Sequence, residues 1–243
     1  MPNGSVILVE IERGTLTRVT AEGKQAIIAD CGGGPNGAAL GPDGRVYVCN
    51  NGGFTWMDDG PFRRPGDALS PEYKGGSIQA VDLATGNVDT LYEACDGRPL
   101  NGPNDIVFDA DGGFYFTDLG KRRGRQMDRG SVFYARTDGS FIQEVVHPIE
   151  TPNGIGLSPD GNVLYVAETY GARIWAWDVH GPGKLSEPEH PFWPARLLYR
   201  FPGYERLDSL AVDSEGNVVV ATLGTGCISA VSSTGVLRAV LPV

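Results

Sequence analysis

Apolar positions come in short runs along this chain. They are rich in Val, Ile, Tyr and Phe, and each run is broken by Gly, Pro, Asn or Asp. Short β-branched and aromatic runs bounded by turn residues predict strands, and no stretch keeps a helical period over three turns. Five segments share an apolar run after an Asp-Gly-like turn: "MPNGSVILVE" (1–10), "GPDGRVYVCN" (41–50), "DADGGFYFTD" (109–118), "SPDGNVLYVAE" (158–168) and "DSEGNVVVAT" (213–222). Four of them follow a matching strand, "PNGAAL" (35–40), "PNDIVF" (103–108), "PNGIGL" (152–157) and "LDSLAV" (207–212), so each pair predicts a β-hairpin. Two further strands follow each hairpin, such as "GSVFYAR" with "FIQEVV" and "RIWAWDV" with "RLLYRF". Four strands per repeat, at spacings of roughly 40 to 70 residues, predict the blades of a β-propeller. The expectation is one all-β domain over 1–243, with an incomplete first blade over 1–30 and blades over about 35–94, 103–147, 152–201 and 207–241.

The polar residues repeat with the strands. Asn36, Asn104, Asn153 and Asp208 each lie eight positions before a turn glycine (Gly44, Gly112, Gly161, Gly216). In a propeller the first strand of each blade lines the central channel, so equivalent positions fall at one height and these four are expected to form a ring. The second strand runs back beside the first, which sets Asn50 near Asn36, Asp118 near Asn104, Glu168 near Asn153 and Thr222 near Asp208. Glu10 holds the corresponding place in the first repeat. An isolated Pro-Asn-Gly is usually only a turn. Four aligned copies, one of them changed to Asp, favour a role for the side chain itself. Amide oxygens with one carboxylate suit a hard cation such as Ca²⁺ or Mg²⁺ better than Zn²⁺. Asp105, beside Asn104, adds a second carboxylate at a strand mouth, where an apolar setting makes unpartnered polar groups costly.

Composition narrows the partners. The formal charge is −10, which argues against nucleic acid or an anionic membrane as a partner. The one basic run, 121–125, reads as a solvated loop. Cys31, Cys49, Cys95 and Cys227 are scattered without metal-finger spacing and read as free thiols. No apolar run has the length of a membrane span, and the N-terminus has no signal-peptide core, so the expected compartment is the cytoplasm. Asn3-Gly4-Ser5 matches a glycosylation sequon, read here as chance.

"NGPNDIVFDADGGFYFTD", "TPNGIGLSPDGNVLYVAET" and "LDSLAVDSEGNVVVA" resemble the SMP-30/gluconolactonase/LRE-like family and, within it, the bacterial lactonases related to Drp35. The resemblance covers nearly the whole chain. It implies a six-bladed β-propeller with one divalent metal, typically Ca²⁺, with Mg²⁺, Mn²⁺ or Zn²⁺ as alternatives, and hydrolysis of lactones or related esters. By motif, Asn153 and Asp208 match metal ligands, Asn104 matches a metal- or substrate-contacting residue, and Ser209 sits where some of these lactonases add another oxygen. The family's further ligand, a Glu opening the first hairpin, would fall upstream of Met1. Against that family the chain reads as shortened at both ends, with about four complete blades and a partial one. Open strand edges would then invite self-association. Members that take sugar acids carry Arg where this chain has Gly102, which points away from a sugar-acid lactone.

The expected chemistry follows. A bound cation would polarise the lactone carbonyl, while Asp208 or Asp105 accepts a proton from water; direct attack by a carboxylate stays open. Glu10, Asn50, Asp118 and Glu168 are expected behind these ligands. The insertion 51–75 falls on the face of the polar ring. Its Phe54 and Trp56, with Asn36 and Asn104, are candidates to touch substrate, a packed surface loop being the equal alternative. His147, His180 and His190 fall away from the ring, which disfavours a Ser-His-Asp triad. The competing function is a non-catalytic propeller scaffold with a degenerate metal site.

Overall fold

The Asp-Gly turns close as their chemistry requires. Gly44, Gly112, Gly161 and Gly216 all adopt positive φ, between 73° and 81°, a region open to glycine and strained for other residues. The preceding aspartates tie the turns to the next strand: Asp109 Oδ1 accepts from the N–H groups of Asp111 and Gly113, and Asp213 Oδ1 from those of Glu215 and Asn217. The computed structural model describes residues 4–66, 68–188 and 190–243, and every helix or strand among them is a strand. Met1–Asn3, Asp67 and Glu189 lie outside the described residues; they include the sequon asparagine and one residue of the insertion 51–75.

The strands form five antiparallel meanders, the blade units of a β-propeller arrangement. The first has three strands, Val6–Glu10, Thr15–Val19 and Gln25–Asp30. The second runs Pro35–Leu40, Val46–Asn50, Ser77–Val81, Val88–Tyr92. The third runs Pro103–Phe108, Gly113–Asp118, Gly130–Arg136, Ile142–Ile149. The fourth runs Pro152–Leu157, Val163–Glu168, Arg173–Gly181, Arg196–Arg200, with Lys184–Leu185 added beside its third strand. The fifth runs Leu207–Val212, Val218–Thr222, Cys227–Val231, Leu237–Pro242.

Two compact units result, residues 1–103 with 120–128 and residues 104–119 with 129–243. In the first, Leu16, Ala29, Val46, Val48 and Val81 bury one core between the first two meanders. In the second, Tyr115, Val132, Leu164, Val166 and Trp175 fill the space between the third and fourth meanders. Ile174, Leu207, Leu210, Val218 and Val220 do so between the fourth and fifth. These are alternate residues of short strands, so the period of two in the sequence becomes the packed face.

First strands meet second strands where the hairpin register predicts: Pro35 pairs with Asn50, Pro152 with Glu168 and Leu207 with Thr222. The sequence reading missed what happens next. The register slips by one residue between Pro35 and Ala38, between Pro152 and Ile155, and between Leu207 and Leu210. Asn36-Gly37, Asn153-Gly154 and Asp208-Ser209 are therefore bulges, two residues facing one. A bulge leaves a residue outside the ladder and re-aims its side chain. The polar repeat and the bulge repeat coincide.

A candidate oxygen-rich metal and catalytic site

The bulges of the fourth and fifth meanders lie against each other. A Cβ built on Gly154 would stand 2.3 Å from Leu210 N, 2.7 Å from Ser209 C and 2.8 Å from Asp208 O. Only glycine admits that approach, and it brings the Asn153 and Asp208 strands side by side. Asn153 is buried, and its Nδ2 donates to Thr169 Oγ1 at 3.1 Å. Its Oδ1 is buried with no hydrogen-bond partner among the described residues. An orphaned amide oxygen is expensive unless a cation or a donor reaches it.

Asp105 joins from the third meander. Its N–H donates to Thr117 Oγ1 (3.1 Å), and Thr117 Oγ1 in turn donates to the Asn153 carbonyl (2.6 Å), so one buried hydroxyl links the two first strands. The Asp105 carboxylate accepts from the N–H groups of Ile106 and Ile155 and from the Ser209 hydroxyl. Burial pushes its pKa up to about 7; the Asp208 charge adds to the rise, and the three hydrogen bonds oppose it. Asp208 is half-buried and Ser209 exposed, so the cluster opens to solvent on that side. Asn104 is buried next to Asp105 in the same strand.

The structure thus brings Asp105, Asn153, Asp208 and Ser209 into one neighbourhood, with Asn104 adjacent in sequence. Asn36 occupies the equivalent bulge of the other unit, half-buried. Phe54 and Trp56 also lie in that unit, edge to face at 6.3 Å, and Trp56 opens a hairpin, Trp56–Asp59 with Phe62–Pro65. Beneath Phe54 sits Lys121, 2% exposed. Its ammonium donates to Gly53 O (2.9 Å) and Asn51 Oδ1 (3.3 Å) and stands 4.0 Å from the Phe54 ring centre and 5.2 Å from that of Tyr73. The expectation of a solvated basic loop therefore fails at Lys121: carbonyl oxygens and aromatic faces replace its water.

The residues expected behind the ligands are held by their own turns. Asn50 accepts from the N–H groups of Gly34 and Gly52 and donates to Cys31 O, Gly32 O and Gln79 Oε1. Glu10 takes the hydroxyls of Thr15 and Thr17 and pairs with Arg13. Glu168 is 1% exposed, pairs with Arg173 at 2.6 Å and accepts from Glu150 N at 3.1 Å. Burial raises its pKa, against the Trp175 indole and the Arg173 charge. Asp118 is buried opposite Ser131. Thr117, Thr169 and the Ile155 N–H escaped the sequence reading, because hydroxyls and backbone groups carry no spacing signal.

Among the described residues no three His, Cys, Asp or Glu side chains converge on a point that could hold a metal. A cation here would draw on amide and hydroxyl oxygens as well as Asp208, and the partnerless Asn153 Oδ1 fits that donor set.

Blade-type meanders with oxygen-bearing residues on the bulges of their first strands define a β-propeller arrangement. The family model for the SMP-30/gluconolactonase/LRE-like region matches residues 1–243, and the chain belongs to that family. It is 31% identical over 228 residues to lactonase drp35 of Staphylococcus aureus strain MRSA252, covering 92% of this chain and 61% of the relative. The same-named lactonase of Staphylococcus epidermidis is 30% identical over 227 residues. The chain therefore spans 61% of the length of these curated relatives. Among solved structures, a gluconolactonase from Xanthomonas campestris superposes with a TM-score of 0.75 at 24% identity, over 99% of this chain and 73% of that one. A calcium-binding regucalcin from Agrobacterium tumefaciens superposes with a TM-score of 0.73 at 19% identity, over 100% of this chain and 71% of that one. Among the described residues no helix is long and apolar enough to cross a membrane.

Proposed function

We propose that this chain carries the site of a divalent-metal-dependent hydrolase of lactones or related esters, on a propeller of the six-bladed type. The observation that carries the reading is the buried, partnerless Asn153 Oδ1 on a bulge packed against the Asp208-Ser209 bulge. Asn153 and Asp208, with Ser209 and Asn104, are the proposed ligands, and Ca²⁺ is the first candidate because every donor is oxygen. When bound, the cation supplies Lewis-acid stabilisation of the negative charge that develops on the substrate carbonyl oxygen.

The chain's own residues do the rest. Asp105 is held by two backbone N–H groups and the Ser209 hydroxyl, which fix its carboxylate at the cluster. It takes the proton from the attacking water as the new C–O bond forms. It returns that proton to the ring oxygen as the lactone C–O bond breaks, leaving a hydroxy acid.

The test is Asp208→Asn, followed by calorimetric titration with Ca²⁺ and by hydrolysis of a γ- or δ-lactone with and without EDTA. Calcium affinity should fall at least about tenfold and turnover about a hundredfold or more. Turnover within a few-fold of the parent removes Asp208 from the chemistry, and turnover indifferent to EDTA removes the metal. A folded chain that neither binds Ca²⁺ nor turns over returns the protein to the class of binding scaffolds.

A further inference from the structure

Arg206 stands at the mouth of the first strand of the fifth meander, two residues before Asp208. Two residues of chain span at most about 7 Å. Its backbone is tied on both sides: Arg206 O accepts from Leu223 N at 2.8 Å, and the N–H of Leu207 donates to Thr169 O at 3.4 Å. Thr169 is the residue whose hydroxyl takes the Asn153 amide. The side chain stays in that neighbourhood. Its guanidinium carbon lies 5.0 Å from the ring centre of Tyr170, the residue after Thr169, and 5.5 Å from that of Tyr204. Its Nη2 donates to the Tyr204 hydroxyl at 2.8 Å.

Among the described residues this cation has no counter-ion. Arg45, Arg123 and Arg173 are half-buried as well, and each holds a carboxylate, that of Asp43, Asp128 and Glu168 in turn. The Arg206 side chain meets only its two tyrosines. The adjacent acid is engaged elsewhere: Glu205 accepts from Gly224 N, Thr225 Oγ1 and the Arg206 N–H. Arg206 Nε is buried without a hydrogen-bond partner among the described residues, whereas Nη1, also unpartnered there, is open to solvent. Around it Tyr170, Tyr204 and Leu223 are 46%, 83% and 55% exposed, which places apolar surface beside an unpaired charge.

A ligand that covers these residues takes water from the guanidinium. A neutral ligand leaves the charge unpaired in apolar surroundings, which is costly. A cation is repelled. A carboxylate offers one negative charge and two coplanar oxygens, the partner that a guanidinium matches. A phosphomonoester dianion calls for a second basic side chain, and none accompanies Arg206 among its described contacts. We propose, on the reading of the neighbouring cluster as a lactone hydrolase, that Arg206 binds a carboxylate on the substrate, so that the preferred substrates are lactones bearing a carboxylate beside the ring.

The test compares 5-oxotetrahydrofuran-2-carboxylate with γ-valerolactone, the same ring with a methyl group in place of the carboxylate. Hydrolysis by the full chain is followed with saturating Ca²⁺ and with EDTA, and each rate is corrected for the lactone's own alkaline hydrolysis. The parent should favour the carboxylate lactone at least about tenfold in kcat/KM. Arg206→Gln should cut that preference at least about tenfold, chiefly through KM, and Arg206→Lys, which keeps the charge without the fork, by a few-fold. A merely structural arginine would lower both substrates together and leave the ratio where it was. That result, or a parent with no preference for the carboxylate lactone, overturns the role of Arg206 while EDTA-sensitive turnover of γ-valerolactone upholds the hydrolase. A parent that turns over neither lactone overturns both.

Discussion

Replacing Gly154 by alanine adds a single methyl group at the closest approach of two strands. The backbone conformation there suits any residue, so the perturbation is purely steric. The new Cβ would meet Leu210 N at 2.3 Å, Ser209 C at 2.7 Å and Asp208 O at 2.8 Å, where ordinary contact starts near 3.4 Å. All three are backbone atoms, so no side chain can rotate away, and the strands must part by about an ångström to restore van der Waals distance. Overpacking of this kind costs about 1–3 kcal/mol. In a chain of this length each kcal/mol moves the melting midpoint by about 2–4 °C, so circular dichroism should show a fall of roughly 2–12 °C. The same displacement carries Asp208 and Ser209 away from Asp105 and Asn153. A misplacement of about 1 Å at a reacting centre costs about a hundredfold in rate, so lactone turnover should fall further than stability does. A Gly154→Ala protein that melts within about a degree of the parent, with calcium affinity and turnover intact, would refute the close packing of these bulges.

Two other outcomes follow from ionisable groups. The Asp105 pKa is raised from 3.8 to about 7, so the metal-free native state holds its proton longer than the unfolded chain does. Stability from this group is complete below about 4, falls as pH climbs and is gone above about 7, a ceiling of about 4 kcal/mol that solvent contact reduces to roughly half. In EDTA the parent should lose melting temperature from pH 5 to pH 8, Asp105→Asn should lose less, and saturating Ca²⁺ should flatten the parent's slope; parallel slopes in parent and variant would assign the effect elsewhere. Among the cysteines, Cys31, Cys49 and Cys95 are buried, and burial with the neighbouring Asp30 charge pushes the Cys31 thiol up to about 11. A thiol reagent at neutral pH should modify Cys227 first and the other three only after denaturation, and early labelling of Cys31 would contradict its packing.

Much of the fold was legible because strand architecture is local. "SPDGNVLYVAE" alone holds a turn that needs glycine at Gly161, an Asx-type cap at Asp160 and alternating residues for one packed face, and the strand Val163–Glu168 follows. The site was legible as far as its spacing. A constant offset from each turn glycine put Asn153 and Asp208 at equivalent places, and the pairings of Pro152 with Glu168 and Leu207 with Thr222 agree with that offset.

Other features depend on atoms far apart in the chain. The bulges at Asn153-Gly154 and Asp208-Ser209 arise from the fit of two strands, and no residue type in them demands a slipped register. Lys121 looks like any surface lysine beside Arg122 and Arg123, until Gly53, Phe54 and Tyr73 close around it. The sequence by itself determined the strands, their turns and the residue types available for an oxygen site, because those depend on dihedral preference and a period of two. Tertiary structure alone decided that Asn153 would keep an amide oxygen without a partner among the described residues, that Asp105 would hold its proton to near neutrality, and that Glu168 would be buried against Arg173. Burial and the approach of distant strands set those properties, and neither is encoded in any single stretch of chain.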